Sequence, residues 1–510
     1  MVAQSHRRED ILSVMQAVAV AAVATSAGDK LRVRMMHYAT DDSFNIYVAT
    51  MKGDPKTVQM THHPSLSLLV SQPGSDINQS KEVEITGKAV FVTDPAEREQ
   101  ALKMTALRSP VVKYLTDTGN SQLLDCIKVV PETIKFRVFA EIVQGMPPTV
   151  IEFPQNRHVV SDLLLLKMKL QNWAMALRIP FLTASLVPVL LGAAIAWFTG
   201  GTLHWGYLLL TLIAALSIHI GSNVINDYFD HKSGNDEVNT EFVRPFSGGS
   251  RVIQLGLLSP LEVLSGSIFF FALSAVIGFY LAWARGPFIL LLGAIGLICG
   301  VFYTGGTLNW ARKGVGEFLV GLNFGILMTL GAYYVQTQSL SWVPVIAAIP
   351  VSLLIAAVLY INEFPDYTAD KRVGKNTLVV RLGRGRAVSL FVVIMAGVYL
   401  SIGAGVAAGI LPVTALLGLM TLPLAFRAIQ YARKHYAASF DLIPANALTV
   451  TSHLATGLLL TLAFVWQVLG REGLAYVILL AAVFAVFVIL MYRHIERQKA
   501  IFLGLKQAVK

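Results

Sequence analysis

The apolar segments in the second part of the chain constrain its fold more than any other feature. Most of residues 172–492 fall in apolar runs of 18 or more residues. Such runs are long enough to cross a hydrocarbon core about 30 Å thick. Residues 1–155 instead have the composition of a soluble protein. We therefore expect a soluble N-terminal domain followed by an all-α polytopic membrane bundle.

Ten spans are predicted, and the loops between them differ in charge. The spans are 176–199, 206–229, 262–284, 287–304, 315–336, 342–364, 386–409, 411–429, 446–469 and 474–492. One set of alternate loops (230–261, 305–314, 365–385 and 430–445) holds most of the loop Lys and Arg residues, and the other holds little beyond Arg285 and Arg471. Because basic loops stay in the cytoplasm, we expect a multi-pass protein of the cell inner (cytoplasmic) membrane, with the N-terminal domain and the C-terminus cytoplasmic. The net charge of +10 then indicates contact with the anionic lipid bilayer rather than with nucleic acid.

Two acid-rich segments lie at the ends of predicted spans, Asn223–Asp230 (NVINDYFD) and Asn362–Asp370 (NEFPDYTAD). An ionisable group at a membrane edge costs several kcal/mol unless it is paired, hydrated or bound to metal. At helical spacing, each segment places its Asn and Asp side chains on one face. Hard oxygen ligands of this kind select Mg²⁺ or Ca²⁺, and Mg²⁺ is commonly shared with substrate phosphates. The pattern therefore predicts a Mg²⁺–diphosphate site, with Asp236 as a weaker third acid of the first segment.

Basic residues follow each acid-rich segment in the sequence. Arg244 and Arg251 follow the first, and the second is followed by Lys371, Arg372, Lys375 and Arg381. They could bind the diphosphate oxygens that the metal leaves free, or they could serve only to orient the chain in the membrane. Lys375 and Arg381 are the stronger candidates for diphosphate.

A cation-coupled transporter is an alternative of another class, because intramembrane carboxylates and amides can also bind transported ions. A transporter would be expected to show broken helices at mid-membrane and internal repeats. Here the acids lie at helix ends before basic loops, and we see no repeat.

The second part of the chain contains the motifs NDYFD, RPFSGGSRVIQLGLLSP, YTGG, GVGEFLVGLNFG and NEFPDYTADKRVGKNTLVVRLG. Taken together, they resemble the motifs of the UbiA superfamily of intramembrane aromatic prenyltransferases, over about residues 170–470. The resemblance implies nine helices around a central cavity, so the tenth is an addition. It also implies transfer of a polyprenyl group from polyprenyl diphosphate to an aromatic acceptor.

The residues that match the expected metal site are Asp227, Asp230, Asp366 and Asp370, which would also be the catalytic residues. Those expected at the diphosphate are Asn223, Asn226, Arg244, Lys375, Arg381 and Asn362. Tyr303, Asn323 and His219 are candidates for the cavity wall, with interhelical hydrogen bonds as the alternative.

The acceptor is indicated by SGGSRVIQLGLLSP and YTGG, which are most similar to the 1,4-dihydroxy-2-naphthoate branch of menaquinone biosynthesis. That branch often has Asn where this chain has Glu363. Hydroxybenzoate, homogentisate or glycerol phosphate-like acceptors therefore remain alternatives.

In the N-terminal part, short β-rich runs alternate with turn signals. The runs are Leu31–Tyr38, Phe44–Thr50, Ser67–Ser71, Val83–Val92 and Ile134–Ile142, and a helix is expected from Pro95 after the N-cap Asp94. Many short strands with few helices suggest a small barrel. Residues 9–153 resemble the pyridoxamine 5′-phosphate oxidase-like split-barrel family, which implies FMN held at its phosphate by Arg34, Thr50 and Lys56. A further family Lys is Ala39 here, so a degenerate barrel is an equal alternative, and an independent flavin reductase is another.

Four regions are therefore expected along the chain. They are a split barrel at 1–153, a linker with an interfacial helix at 154–171, the membrane domain at 172–495 and a basic cytoplasmic tail at 496–510.

Overall fold

The computed structural model of the chain divides into two compact units. One comprises residues 1–174, 252–259 and 505–510, and the other comprises 175–251 and 260–504. The structure describes residues 2–27, 30–156, 162–234, 239, 243, 246–305 and 309–507. The predicted fold class is confirmed, with a mainly β N-terminal part followed by a helical region.

The first unit is built on one antiparallel sheet of eight strands. They are β1 (Val20–Ala27), β2 (Lys30–His37), β3 (Ala39–Thr40), β4 (Ile46–Met51), β5 (Ser65–Gln72), β6 (Lys81–Phe91), β7 (Leu124–Val138) and β8 (Thr149–Glu152). The strand order is β2-β1-β5-β6-β7-β4-β3, and β8 pairs with β7. Successive residues of β6 alternate between buried and half-buried, as expected for a strand with one face on the core. The helices of this unit include Val2–Ala17, Pro55–His62, Pro95–Ala106, Pro110–Asp117 and Phe139–Val143.

The β7 strand is much longer than the predicted run Ile134–Ile142, which is therefore wrong at both ends. Pro131 lies within β7. It makes the strand hard to predict from the sequence, because proline cannot donate a backbone hydrogen bond to a neighbouring strand and argues against a central strand. The sheet accommodates it with a register shift between Thr86 and Gly87 of β6. A Cβ at Gly87 would lie 2.4 Å from the carbonyl oxygen of Val130, so this close approach requires glycine. The predicted cap is present, since a side-chain oxygen of Asp94 accepts the backbone N–H of Glu97 at 2.8 Å.

The second unit is helical. Among the residues that the structure describes, eight helical segments are long and apolar enough to cross a membrane: Thr183–Gly200, Trp205–Ser233, Pro260–Arg285, Gly316–Thr337, Trp342–Arg372, Arg384–Ala407, Val413–His435 and Ile443–Leu469. Two shorter apolar helical stretches, Phe288–Phe302 and Leu474–Leu490, lie within the predicted spans 287–304 and 474–492 but are shorter than these eight.

The first span begins later than predicted, at Thr183 rather than at 176. A separate helix covers Asp162–Ala176, and Arg178 then adopts the left-handed conformation with φ 49°. Pro180 follows within the 3₁₀ turn Ile179–Leu182. A proline and a left-handed residue both interrupt an α-helix, so the chain enters the bundle through a break instead of one continuous helix.

Candidate active site

A cavity of about 410 Å³ lies among the helices of the second unit. Small-molecule sites in proteins typically have volumes of roughly 300–1,000 Å³. Along the Trp205–Ser233 helix, which we call the first acidic helix, the lining runs from Thr211 to Asp230. At 1.5 Å per residue this is a length of about 28 Å, so the cavity is long relative to its volume.

One end of the cavity is polar and is formed mainly by two helices. The first acidic helix contributes Asn223, Asn226 and Asp230. The Trp342–Arg372 helix, which we call the second acidic helix, contributes Asn362, Asp366 and Asp370, and Lys375 follows from the segment after it. The helical spacing that predicted one face for each segment thus brings both sets of oxygen donors to one space.

The carboxylates of the second acidic helix have defined partners. A carboxylate oxygen of Asp366 accepts the side-chain amide of Asn239 at 2.7 Å, and the other accepts the backbone N–H of Gly248 at 3.3 Å. Lys375 Nζ lies 3.7 Å from Asp370. Burial by itself would lower the pKa of Lys375, but the carboxylates of Asp370 and Asp230 raise this pKa well above the ordinary lysine value. Lys375 is therefore a permanent cation at the polar end.

Asp227 differs from the other three predicted metal ligands, because it is not among the cavity-lining residues. Its buried carboxylate accepts the hydroxyl and the backbone N–H of Ser250 and forms an ion pair with Arg178. Arg178 does line the cavity. The structure therefore places Asp227 behind Arg178, where it orients a guanidinium that was not among the predicted site residues.

Of the predicted diphosphate ligands that the structure describes, Arg381 is not brought to the cavity. Arg381 is exposed, its Nε donates to the carbonyl oxygen of Asn376 at 3.1 Å, and it does not line the cavity. Arg244 lies outside the described residues, as does Asp236.

Asn362 is held by Asn446, which was not among the predicted site residues. The side-chain amide of the buried Asn446 donates to Oδ1 of Asn362 at 2.7 Å and to the carbonyl oxygen of Ile361 at 3.1 Å. Pro365 has no N–H to donate to that carbonyl, which lies four residues before it. A proline within a buried apolar helix is the sequence signal that a neighbouring polar side chain is needed.

Further polar groups line the wall beside this end. Glu363 lines the cavity, and its carboxyl lies within hydrogen-bonding reach of that of Glu317. His219 also lines the cavity, and its Nδ1 lies 2.8 Å from the hydroxyl of Ser185. Asn323 lines it from a π-helical stretch, Gly321–Leu327, a local widening that is frequent at functional sites. Tyr303 is a lining residue as well.

The other end of the cavity is apolar. Its wall includes Gly278, Leu281, Ile289, Leu292, Gly293, Leu327, Gly331 and Val335. An added Cβ at Gly278 or Gly293 would meet no atom within 4 Å, so these glycines widen the cavity and do not serve helix packing. The space suits a long hydrocarbon chain.

The donor set at the polar end fits a magnesium ion. No three His, Cys, Asp or Glu side chains in the part of the chain that the structure describes are grouped closely enough to bind one ion together. Mg²⁺ commonly binds through one or two carboxylates, with waters and substrate phosphates completing its shell. In addition, Oδ1 of Asn226 is buried and accepts no hydrogen bond, as expected for an oxygen that faces a cation.

Comparison with known proteins identifies the fold around this site. The UbiA prenyltransferase family matches residues 185–443, which is about half of the chain and includes both acidic helices. The chain belongs to the UbiA prenyltransferase family. It is therefore a prenyltransferase and a multi-pass membrane protein, which favours the enzyme over the transporter.

Relatives with assigned functions support the same conclusion. The 1,4-dihydroxy-2-naphthoate octaprenyltransferase of Mycobacterium tuberculosis is 32% identical over 261 residues, covering 50% of this chain and 84% of that protein. The 2-carboxy-1,4-naphthoquinone phytyltransferase of Synechocystis sp. is 27% identical over 300 residues, covering 58% of this chain and 94% of that protein.

The N-terminal part is similar to a different set of solved structures. One is the structure of the FAD binding protein from Mycobacterium smegmatis. The match covers 26% of this chain and 94% of that chain, at 15% sequence identity and a TM-score of 0.20.

Two of the three residues predicted for FMN are engaged by protein groups in the first unit, and the third is buried. The guanidinium of Arg34 donates to Thr25 Oγ1 and to Gln59 Oε1, each at 2.9 Å. Lys56 Nζ lies 2.6 Å from Asp54, and Thr50 is buried in β4. A phosphate would therefore have to compete with Asp54 for Lys56.

Proposed function

We propose that this protein transfers a polyprenyl group from an allylic diphosphate to 1,4-dihydroxy-2-naphthoate, in a Mg²⁺-dependent step of menaquinone biosynthesis. The observation that carries the proposal is a single cavity whose carboxylates, amides and lysine lie at one end and whose apolar wall forms the other. The named relatives above support the naphthoate acceptor. A hydroxybenzoate, homogentisate or glycerol phosphate-like acceptor is the alternative that the experiment below addresses.

The diphosphate binds at the polar end. Lys375 and Arg178 are the cations that line the described part of the cavity, and both can form charge-assisted hydrogen bonds to phosphate oxygens. Asp230, Asp366 and Asp370 would hold Mg²⁺, with Asn223 and Asn226 orienting it or the phosphate. When bound, Mg²⁺ neutralises charge on the diphosphate as it leaves.

The chain's own residues then promote ionisation by stabilising charge and excluding water. The bond between the allylic carbon and the diphosphate oxygen breaks, and the diphosphate keeps the electron pair beside Lys375 and Arg178. The apolar wall keeps water away from the allylic cation, which water would otherwise quench. A ring carbon of the acceptor forms the new bond, and in the naphthoate case the carboxylate leaves as CO₂.

We place the site on the cytoplasmic side of the cell inner membrane, with the N-terminal domain and the C-terminus cytoplasmic. The support is the distribution of charge at this end, since Lys371 and Arg372 lie in the last turn of the second acidic helix and Lys375 and Arg381 follow it. Basic loops favour the cytoplasmic side.

For the N-terminal barrel we propose FMN as a ligand, held at its phosphate by Arg34, Thr50 and Lys56. Guanidinium, hydroxyl and ammonium groups suit phosphate chemically. The prenyl transfer itself includes no flavin step.

The test is transfer by the purified full-length protein, supplied with polyprenyl diphosphates, Mg²⁺ and a panel of the four acceptor classes. Transfer to the naphthoate should exceed transfer to the others and should be lost with EDTA. Asp366→Asn should lose activity. Asp441→Asn, which alters an exposed carboxylate outside the cavity lining, is the matched control and should not. A folded protein that transfers to no acceptor would refute the enzyme proposal, and preference for another acceptor would refute the naphthoate.

A further inference from the structure

Two glutamates of different helices meet beside the cavity. Glu363 of the second acidic helix is 7% exposed, and Glu317, at the start of the Gly316–Thr337 segment, is 3% exposed. One oxygen of Glu317 is occupied, since its Oε1 accepts the backbone N–H of Leu378 at 2.8 Å. The carboxyls are within hydrogen-bonding reach of each other, and Glu363 also lines the cavity.

One proton held between the two carboxyls can satisfy only part of the pair. Within the described residues, the Oε2 atoms of both glutamates are buried and accept no hydrogen bond from an N–H or a hydroxyl group. Leaving a buried carboxylate oxygen without a donor is unfavourable. A donor supplied by a ligand would remove this cost, and only Glu363 of the two lines the space from which a ligand could approach.

We propose that Glu363 accepts a hydrogen bond from a hydroxyl group of the aromatic acceptor and so selects hydroxylated rings. Glu317 positions Glu363, because it is anchored to the backbone of Leu378 and limits where the Glu363 carboxyl can lie. This inference rests on the proposed function and specifies how the acceptor is recognised.

The surroundings favour a neutral hydroxyl donor. Asp230, Asp366, Asp370 and Lys375 line the same polar end and are committed to the metal and the diphosphate. Glu363 precedes Asp366 and Asp370 on the second acidic helix. It is next to Asn362, which Asn446 holds. A site built to bond a substrate hydroxyl rejects the analogue that lacks it far more strongly than an apolar pocket rejects one methyl group.

The test compares each hydroxylated acceptor with its O-methyl ethers. For the wild type, kcat/KM for the hydroxylated acceptor should exceed that for at least one ether by about tenfold or more. Glu363→Ala should bring this ratio close to one while leaving KM for the polyprenyl diphosphate within about twofold of wild type. Glu363→Gln keeps the shape with a weaker acceptor and should give an intermediate ratio. Glu472→Gln, at an exposed site outside the cavity, is the matched control and should keep the wild-type ratio.

Equilibrium binding separates this inference from the proposed function. Binding of the same hydroxylated acceptor and ethers is measured without prenyl diphosphate, and thermal unfolding of each variant confirms that it is folded. If the wild type transfers nothing, the proposed function fails, but a binding preference for the hydroxyl that is lost in Glu363→Ala would still support the inference. An unchanged preference in both Glu363→Ala and Glu363→Gln would overturn it. So would a change confined to the Mg²⁺ requirement, because the glutamates would then be binding a cation.

Discussion

The side-chain amide of Asn446 bridges two groups of the second acidic helix, Oδ1 of Asn362 at 2.7 Å and the carbonyl oxygen of Ile361 at 3.1 Å. Pro365 leaves this carbonyl without its helical donor. The buried Asn446 side chain, from the Ile443–Leu469 helix, therefore donates to the carbonyl oxygen that Pro365 leaves without a donor. It also orients the side-chain amide of Asn362 at the cavity.

Asn446→Leu should lower both stability and activity. It leaves two buried acceptors without donors, each at a cost of about 1–3 kcal/mol, and frees Asn362 to turn. Thermal unfolding in detergent and the transfer rate measure the two effects. Gln467→Leu removes an exposed amide from the same helix and should change neither. Equal effects of the two substitutions would contradict the bridging role.

Lys375 and Arg381 should differ, although the sequence predicted both as diphosphate ligands. Lys375 lines the cavity and Arg381 does not, so Lys375→Gln should raise KM for the polyprenyl diphosphate by about tenfold or more through loss of a charge-assisted bond. Arg381→Gln should leave this KM within about twofold of wild type. Steady-state kinetics with varied diphosphate decide the point, and a larger effect at Arg381 would show that it reaches the substrate.

Asp227 should act through Arg178 and not as a metal ligand. Asp227→Asn removes one partner of a buried ion pair, which typically destabilises a protein by about 3–5 kcal/mol. The transfer rate should fall, but the Mg²⁺ concentration that gives half-maximal rate should stay within about twofold of wild type, whereas Asp366→Asn should raise it. A Mg²⁺ titration of both variants tests this. A higher Mg²⁺ requirement in Asp227→Asn would show that Asp227 is a metal ligand.

Gly278 should control the length of prenyl chain that the enzyme accepts. A side chain at this position meets no neighbouring atom within 4 Å and would project at the apolar wall. Gly278→Leu should therefore shift preference towards shorter diphosphates, measured as kcat/KM across a chain-length series. Gly403→Leu, also at an open helical position but outside the lining, should leave the preference unchanged. If both variants keep the wild-type series, the polyprenyl chain lies elsewhere.

Flavin binding by the N-terminal barrel should depend on the competition between Asp54 and phosphate for Lys56. Titration of the purified protein with FMN should quench flavin fluorescence. Arg34→Met should weaken the affinity by about tenfold through loss of a charge-assisted hydrogen bond, and Asp54→Asn should strengthen it by freeing Lys56 from its 2.6 Å ion pair. Absence of quenching in the wild type would leave the barrel without a flavin.

The architecture and the paired acidic helices could be predicted from the sequence, because apolar length and helical spacing are local properties. A run long enough for a bilayer forms a helix wherever its neighbours lie, and Asn362, Asp366 and Asp370 share a face through the helical period alone. The strand β7 could not be predicted in full, because Pro131 contradicts the local pattern and only pairing with β6 accommodates it.

The tertiary structure alone decided how the site is assembled. Asp227 and Asp230 are similarly placed on one helix, yet Arg178 and Ser250 engage the first while the second lines the cavity. Arg381 and Lys375 both follow the second acid-rich segment in the sequence, but of the two only Lys375 lines the cavity. Asn446 and Glu317 carry no motif and acquire roles only through the helices they face. Periodicity determines the face of a helix on which a residue lies, whereas packing between helices determines what that face meets.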